Sequence, residues 1–168
     1  MAQKSDKEAR FVAITDSNKD VIAKVCYLYA SPRAPFEDLY QEVLVNIWQG
    51  LDSFRGDAKL STWIYRTAIN TCISWHRRNM RHSSATTLRI DDVAFDPVDS
   101  SPSGSKMADY SELQRLISLL SPIDKALISL WLDEKPYDEI SAIMGISSRN
   151  VAVRIHRIKE KLSKLANS

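Results

Sequence analysis

The sequence predicts an all-α protein of two small helical domains joined by a flexible acidic linker, the second domain being a helix-turn-helix. Apolar residues recur at helical spacing in two separate segments. A stretch rich in Ser, Thr, Asp and Pro, without any sustained period, lies between them. Only four glycines are present, which argues against a turn-rich all-β fold. The predicted boundaries are 1–82 for the first domain, 83–107 for the linker and 108–168 for the second domain.

Composition is ordinary for a globular protein, with 44% hydrophobic and 26% charged residues among 168. No apolar run approaches the roughly 20 residues of a membrane span. The polar start MAQKSDKEAR has no signal-peptide core. We therefore expect a cytoplasmic protein without membrane insertion.

Cys26 and Cys72 are the only cysteines. They are expected to be buried free thiols in a reducing compartment. No Cys or His spacing is typical of a zinc site, so we expect neither metal nor cofactor.

Charge is distributed unevenly although the net charge is only +2. Residues 36–54 carry four acids and no base, and 55–82 carry six bases against one acid. Residues 83–114 carry six acids against two bases, and 141–168 carry six bases against one acid. Two basic blocks separated by an acidic one indicate two nucleic-acid contacts on one chain. Solvated helix faces would give the same pattern, so charge alone does not decide.

The first block begins with an amphipathic helix. Its apolar stripe contains Leu39, Val43 and Ile47 at four-residue steps. Leu44, Trp48 and Leu51 widen this stripe. The opposite side carries Asp38, Gln41, Glu42 and Gln49. The stretch FRGDAK, Phe54–Lys59, interrupts the pattern with Gly56 and is predicted to be a loop.

The next helix is predicted to be capped by Ser61 or Thr62 and to run to about Met80. One side is apolar, with Tyr65, Ala68, Ile69, Cys72 and Trp75. Another side carries Trp63, Thr67, Asn70, Ser74, Arg77 and Arg81. An aromatic ring, small polar groups and arginines on one stripe suit contact with bases and phosphates. A wet face with one core tryptophan explains the spacing equally well.

The second block contains three predicted helices. Ser121 caps the first, Pro122 opens it and Asp124 can complete a capping box. YDEISAIMG gives a short helix that ends at Gly145, and Ser147 or Ser148 caps the last helix. The buried stripe of that helix is Val151, Ile155, Ile158, Leu162 and Leu165.

A helix-turn-helix is favoured over an ordinary helical hairpin with a basic exterior by the spacing of Ile140, Gly145, Ile146, Val151 and Ile155. Early exposed residues of the second helix in such a motif read base edges. The predicted readers are Arg149, Asn150, Val153 and Arg154, with Arg157 and Lys161 nearer phosphate.

Together the two blocks resemble a known family. DLYQEVLVNIWQGLDSFRGDAKLSTWIYRTAINTCISWHRR, Asp38–Arg78, resembles the core domain of sigma-70 family RNA polymerase subunits, most closely the extracytoplasmic-function (ECF) group. LLSPIDKALISLWLDEKPYDEISAIMGISSRNVAVRIHRIKEKL, Leu119–Leu162, resembles the family's C-terminal promoter-reading domain. The resemblance implies a sigma factor that directs core polymerase to promoters and assists promoter melting, and that is not an enzyme.

The resemblance also implies roles for individual residues. Asp38, Gln41 and Glu42 stand where the family docks on the β′ coiled coil of the polymerase. The Phe54–Lys59 loop stands where relatives pocket a flipped base of the minus-ten element. The full minus-ten set is Phe54, Arg55, Gly56, Asp57, Lys59, Trp63, Asn70, Arg77 and Arg81. The minus-thirty-five set is Arg149, Asn150, Val153, Arg154, Arg157 and Lys161.

The partners implied are core RNA polymerase, through its β′ coiled coil and β flap, promoter DNA and an anti-sigma factor, with the free protein a monomer. The acidic linker resembles the segment that threads toward the polymerase active site. Arg149 and Asn150 replace a common Gly-Thr pair, and Ala152 and Val153 also depart from the family pattern, so a minus-thirty-five sequence preference does not transfer.

Rival functions predict different features. A stand-alone helix-turn-helix regulator predicts a receiver domain or ligand pocket in the first half, for which the sequence offers no strands followed by acidic clusters. An enzyme predicts a nucleophile-base pair, metal spacing or a glycine-rich phosphate loop, and none is present. A sigma-like fold without DNA activity predicts loss of the arginine-rich stripes, which are retained.

Overall fold

The computed structural model describes the backbone of residues 2–82 and 105–168, and side chains within 4–81 and 109–168. The described residues form eight helices and no strand, apart from one isolated bridge between Ser31 and Ala34. The all-α prediction is confirmed. The helices are α1 (Ala2–Ser17), α2 (Lys19–Tyr29), α3 (Phe36–Gly50), α4 (Leu60–His82), α5 (Ser105–Ser118), α6 (Pro122–Leu132), α7 (Tyr137–Met144) and α8 (Ser148–Ala166).

Contacts divide the chain into two compact units, residues 1–93 and 94–168. The division falls inside the predicted linker, most of which lies outside the described residues. Its last three residues, 105–107, already belong to α5.

The first unit is a bundle in which α2, α3 and α4 pack against one another and α1 packs on α3. The predicted stripe of α3 is its core, because Leu39, Val43 and Ile47 expose no surface. Helix α2 contributes Ile22 and Cys26, which are also fully covered. Burial of each such side chain contributes about 1.5–3 kcal/mol against an exposed reference.

Two features of this unit differ from the sequence analysis. The prediction that Ser61 or Thr62 caps α4 is wrong, because the backbone N–H of Trp63 already bonds to Lys59 O at 3.1 Å. The helix therefore begins at Leu60, and Thr62 is a buried residue of its first turn. Helices α1 and α2 were not predicted. The polar α1 gives little periodic signal, whereas α2 was overlooked although Ile22, Val25, Cys26 and Tyr29 are buried at helical spacing.

The second unit packs α8 against α5, α6 and α7. Its core contains Leu127, Ile140, Val151 and Ile155, each at most 1% exposed. The predicted stripe of α8 is buried through Leu162, while Leu165 is half-buried.

The caps of this unit follow the sequence prediction, except that the Asp124 carboxylate, predicted to complete a capping box, instead accepts from Arg154. Ser121 Oγ accepts from the Asp124 N–H, and Ser147 Oγ accepts from the Asn150 N–H, each at 3.2 Å. Gly145 ends α7 at φ 70°, a left-handed conformation that costs glycine nothing. The turn between α7 and α8 therefore sets the start of α8, the helix that carries the predicted readers.

Candidate nucleic-acid interface

The α4 stripe, defined by the six residues Trp63, Thr67, Asn70, Ser74, Arg77 and Arg81, lies on the open side of α4. Asn70, Ser74, Arg77 and Arg81 are exposed. The other side of the helix is buried through Ile64, Ala68, Ile69 and Cys72. The structure thus brings the predicted stripe onto one accessible face with both arginines toward its C-terminal end.

Trp63 of α4 packs against both the end of α3 and the loop that follows it. Its ring lies 5.0 Å from that of Phe54, tilted by 33°. A Cβ added to Gly50 would lie 3.0 Å from Trp63 Cζ2, so the absence of a side chain at Gly50 leaves room for the indole. The side chain is half-buried. Trp63 therefore packs on Phe54 and Gly50 while part of its surface stays accessible, an arrangement that neither sequence-based alternative described.

The predicted base-pocketing loop is open around its glycine. Gly56 has φ 79°, and a Cβ there would meet nothing within 4 Å. Arg55, Asp57 and Lys59 are exposed beside it. Because only glycine adopts this conformation without strain, Gly56 sets the course of the loop.

A groove of about 250 Å³ lies between α3 and α4 beside Asn70. Sequence reasoning missed its α3 contribution, Asn46, whose Nδ2 donates to Thr71 Oγ1 at 2.9 Å. No local pattern signals this pair, since its residues lie 25 positions apart. The lining residues are Asn46, Thr67, Asn70, Thr71, Ser74 and Arg78.

The α3 face, defined by Asp38, Gln41, Glu42 and Val45, lies opposite the buried stripe. Asp38 and Gln41 are exposed, and Glu42 pairs with Arg78 of α4 at 3.4 Å. Val45 is 47% exposed and was missed, although its spacing from Gln41 and Glu42 could have placed it. The face combines acids, an amide and one apolar group.

The α8 face carries the minus-thirty-five set. Arg149, Asn150, Arg157 and Lys161 are exposed, and Val153 is 43% exposed. Arg154 differs, because its guanidinium donates to Asp124 Oδ1 of α6 at 3.2 Å. Its side chain keeps 39% of its surface accessible. All six predicted residues thus share one side of α8, and one of them is held by a neighbouring helix.

The two cysteines are free and buried, as predicted. A side-chain hydrogen bond with Cys26 and burial raise the pKa of the Cys72 thiol. Thiols held protonated in this way are poor nucleophiles and metal ligands. On α6, burial lowers the pKa of the Lys125 ammonium.

Neither a membrane-spanning helix nor a metal-binding cluster is found among the described residues. No helix among them has the length and apolar character needed to cross a bilayer. No group of three His, Cys, Asp or Glu side chains among them is arranged to hold a metal ion.

Comparison with known proteins identifies the family to which the chain belongs. The family model described as Sigma-70 region 2 matches residues 14–82, and Sigma-70, region 4 matches 110–162. RNA polymerase sigma factor YlaC of Bacillus subtilis is 30% identical over 130 residues, covering 76% of this chain and 75% of the relative.

Two further relatives cover more of the chain. The ECF sigma factor SigW of Bacillus subtilis is 28% identical, covering 96% of this chain and 91% of SigW. The ECF sigma-E factor of Escherichia coli K12 is 28% identical, covering 95% and 87%.

Solved structures share the fold. Sigma factor RpoE in complex with the anti-sigma factor NepR, from Bartonella quintana, has a TM-score of 0.67 at 21% identity, covering 96% of this chain and 97% of that one. CnrH in complex with the cytosolic domain of CnrY has a TM-score of 0.65 at 19% identity, covering 95% and 89%.

The chain belongs to the sigma-70 family of RNA polymerase sigma factors, and its relatives are of the ECF type. It directs RNA polymerase to promoters in transcription initiation. The stand-alone regulator is not favoured, because region 2 occupies the half of the chain where that function needs a receiver or ligand pocket. Sigma factors are not themselves enzymes.

Proposed function

We propose that the two units divide the work of initiation between them. The unit of α1–α4 docks on core polymerase and captures the minus-ten element, and the unit of α5–α8 reads the minus-thirty-five element. The observation that carries the proposal is the pair of accessible arginine-bearing faces, on α4 and on α8, one in each unit. The domain boundaries 1–82, 83–107 and 108–168 are part of it.

The α3 face is the surface for the β′ coiled coil. Asp38 and Gln41 offer exposed polar groups, and the exposed Val45 offers apolar area that a helical partner can cover. The pair between Glu42 and Arg78 is solvent-accessible, with side chains 33% and 58% exposed. Breaking this ion pair when the polymerase docks would therefore cost little free energy.

The α4 stripe and the Phe54–Lys59 loop form the minus-ten surface. Stacking of a base on an aromatic ring contributes about 1–3 kcal/mol. The half-buried indole of Trp63 is supported by Phe54 for this purpose. Asn70 and the loop hold an extruded base, while Arg77 and Arg81 bind phosphates without reading sequence.

The α8 face forms the minus-thirty-five surface. Arg149, Asn150, Val153 and Arg154 lie in the first two turns, where a recognition helix meets base edges. Arg157 and Lys161 follow on the same side and contact phosphate.

Further partners belong to the same proposal. They are the β flap of core polymerase, promoter DNA and an anti-sigma factor, since two similar folds were solved with anti-sigma partners. The segment 83–107 threads toward the polymerase active site. The protein acts in the cytoplasm, is a monomer when free, needs no cofactor or metal and catalyses no reaction.

The docking surface is tested by replacing Gln41 and Glu42 together with Ala. Affinity for core polymerase, measured by fluorescence titration, should fall about tenfold, the loss from removing a few interfacial hydrogen bonds. Helicity should not change, because neither residue is in the core. The matched control replaces Glu112 and Gln114 of α5, where Glu112 is likewise paired with an arginine, Arg115. Unaltered affinity in the α3 variant would reject the assignment.

A further inference from the structure

Helix α1 packs on α3, and two of its side chains reach the last turn of that helix. Lys7 Nζ lies 4.5 Å from the centre of the Trp48 ring, and Phe11 meets the same ring edge-on with 5.3 Å between the ring centres. Residues 2–13 precede the segment that matches Sigma-70 region 2. Both side chains therefore belong to a part of the chain that the family match does not cover, and neither belongs to the surfaces proposed above.

Lys7 also contacts the turn that follows α3. Its Nζ donates to Asp52 Oδ2, two residues beyond the end of the helix. The side chain of Lys7 is 21% exposed and that of Asp52 is 67% exposed. One ammonium group thus links α1 both to the last turn of α3 and to the chain beyond it. Lys7, Trp48 and Asp52 are together named the α1–α3 contact.

The turn that contains Asp52 is closed by three hydrogen bonds to a single carbonyl. Gly50 O accepts from the backbone N–H groups of Ser53 and Phe54, each at 3.1 Å, and from Ser53 Oγ at 2.8 Å. Leu51, which precedes Asp52, exposes no surface. Because these bonds and the buried side chain restrict the turn, a displacement of Asp52 moves the turn as a whole.

Both ends of this turn contact Trp63. Phe54 lies 5.0 Å from the indole, and Gly50 leaves room for it. We propose that the α1–α3 contact positions Trp63, so that Lys7 is a positioning residue for promoter opening. The proposal rests on the minus-ten role of α4, and it adds a residue that touches no DNA itself. The ion pair fixes the turn, the turn fixes Phe54 and the space beside Gly50, and these fix the indole.

The first experiment follows the indole rings directly. The full chain has four tryptophans, which are labelled with fluorotryptophan and observed by fluorine NMR, each resonance being assigned by replacing that tryptophan with Phe. Lys7→Met keeps an unbranched stem and removes the charge. It should shift the resonances of both Trp48 and Trp63, whereas that of Trp131 in the second unit should not move. Lys7→Arg, whose cation also stacks on rings and pairs with carboxylates, should return the Trp63 resonance to its original position.

The second experiment measures opening of a duplex promoter by holoenzyme at saturating DNA, from the permanganate reactivity of unpaired thymines. Lys7→Met should lower the yield of open complexes roughly 2- to 5-fold, the range for a partly exposed ion pair. A pre-melted template should remove the defect. Lys4→Met is the matched control, because Lys4 is an exposed lysine of the same helix and its loss removes the same charge. This control should open the duplex normally.

A double-mutant cycle tests whether Lys7 and Asp52 act as one pair. Asp52→Asn should reproduce both the shift of the Trp63 resonance and the opening defect. The variant that carries Lys7→Met and Asp52→Asn together should be no worse than the worse single variant, because either change alone already removes the interaction. Additive losses would show that the two residues act separately, which contradicts the proposal.

Three further outcomes overturn the positioning role. They are an unmoved Trp63 resonance in Lys7→Met, a defect that persists on the pre-melted template, and an equal defect in Lys4→Met. Trp63→Ala separates this proposal from the minus-ten role. If Trp63→Ala impairs duplex opening and Lys7→Met does not, only the positioning role is rejected. If Trp63→Ala opens the duplex normally, the minus-ten role of Trp63 fails, and the fluorine resonances still report whether Lys7 positions the ring.

Discussion

Arg154 of α8 donates a hydrogen bond to Asp124 of α6, with 3.2 Å between its terminal nitrogen and Oδ1. Asp124 also lies in the first turn of α6, where its backbone N–H donates to Ser121 Oγ. Asp124 thus donates its backbone N–H to the capping side chain of α6 and restrains a predicted base reader with its carboxylate. A guanidinium held at one edge keeps its remaining N–H groups for a partner and loses less side-chain entropy on binding.

This restraint predicts that Asp124→Asn lowers promoter discrimination more than it lowers stability. The pair is partly exposed, with side chains 39% and 23% accessible, so its loss should cost at most about 1 kcal/mol of unfolding free energy. Thermal unfolding and competition binding of holoenzyme to matched and mutated minus-thirty-five DNA measure the two effects. Glu160→Gln is the control, since Glu160 pairs with His156 on α8 itself. An unchanged ratio of specific to scrambled binding would contradict the restraint.

Arg154 and Arg157 should give opposite patterns when replaced by Ala. A good bidentate base contact discriminates by about 1–3 kcal/mol. Arg154→Ala should therefore reduce discrimination between promoters roughly 5- to 100-fold. Arg157→Ala should weaken binding to all DNA sequences alike, since a phosphate contact carries no sequence information. It should also reduce the salt dependence of binding. Equal losses on specific and scrambled DNA for both variants would show that the roles are wrongly assigned.

Trp63→Ala should impair opening of duplex promoters. Loss of a stacking platform removes about 1–3 kcal/mol, so open complexes should fall roughly tenfold or more. The defect should be largely rescued on a pre-melted template, and permanganate footprinting of unpaired thymines measures it. The ring also packs on Phe54, so some thermal stability should be lost.

Trp63→Phe separates packing from capture, because it keeps an aromatic ring against Phe54 and Gly50. This variant should recover most of the thermal stability and part of the ability to open duplex promoters. A Trp63→Ala protein that is inactive on both templates would make Trp63 a core residue only. A normal bubble with Asn70→Ala would remove Asn70 from the mechanism.

Lys125 should make stability depend on pH in the alkaline range. Burial lowers the pKa of its ammonium below the ordinary 10.5, so the unfolded chain binds the proton more tightly. Stability should therefore rise as pH increases from the lowered pKa toward 10.5. Lys125→Met should raise Tm at neutral pH and flatten that slope, whereas the exposed Lys164→Met should do neither. A lower Tm for Lys125→Met would show that the charged group contributes a favourable contact.

Local and periodic features were determined by the sequence itself. The stripe of Leu39, Val43 and Ile47 is buried as its spacing predicted, and Ser121, Gly145 and Ser147 end or begin helices where expected. These features depend on residues within about one or two helical turns, so the physics that produces them is visible in a short window. The two segments that resemble the family, in the order in which they occur along the chain, also identified the family from the sequence.

Only the tertiary structure decided which side chains meet between helices. Asn46 with Thr71, Glu42 with Arg78 and Asp124 with Arg154 each join residues at least 25 positions apart. The start of α4 at Leu60 was also misjudged, because Ser61 and Thr62 are good caps by type but lie beyond the first helical bond to Lys59. Such choices depend on how packed helices are placed in space, and a single helix period does not contain that information.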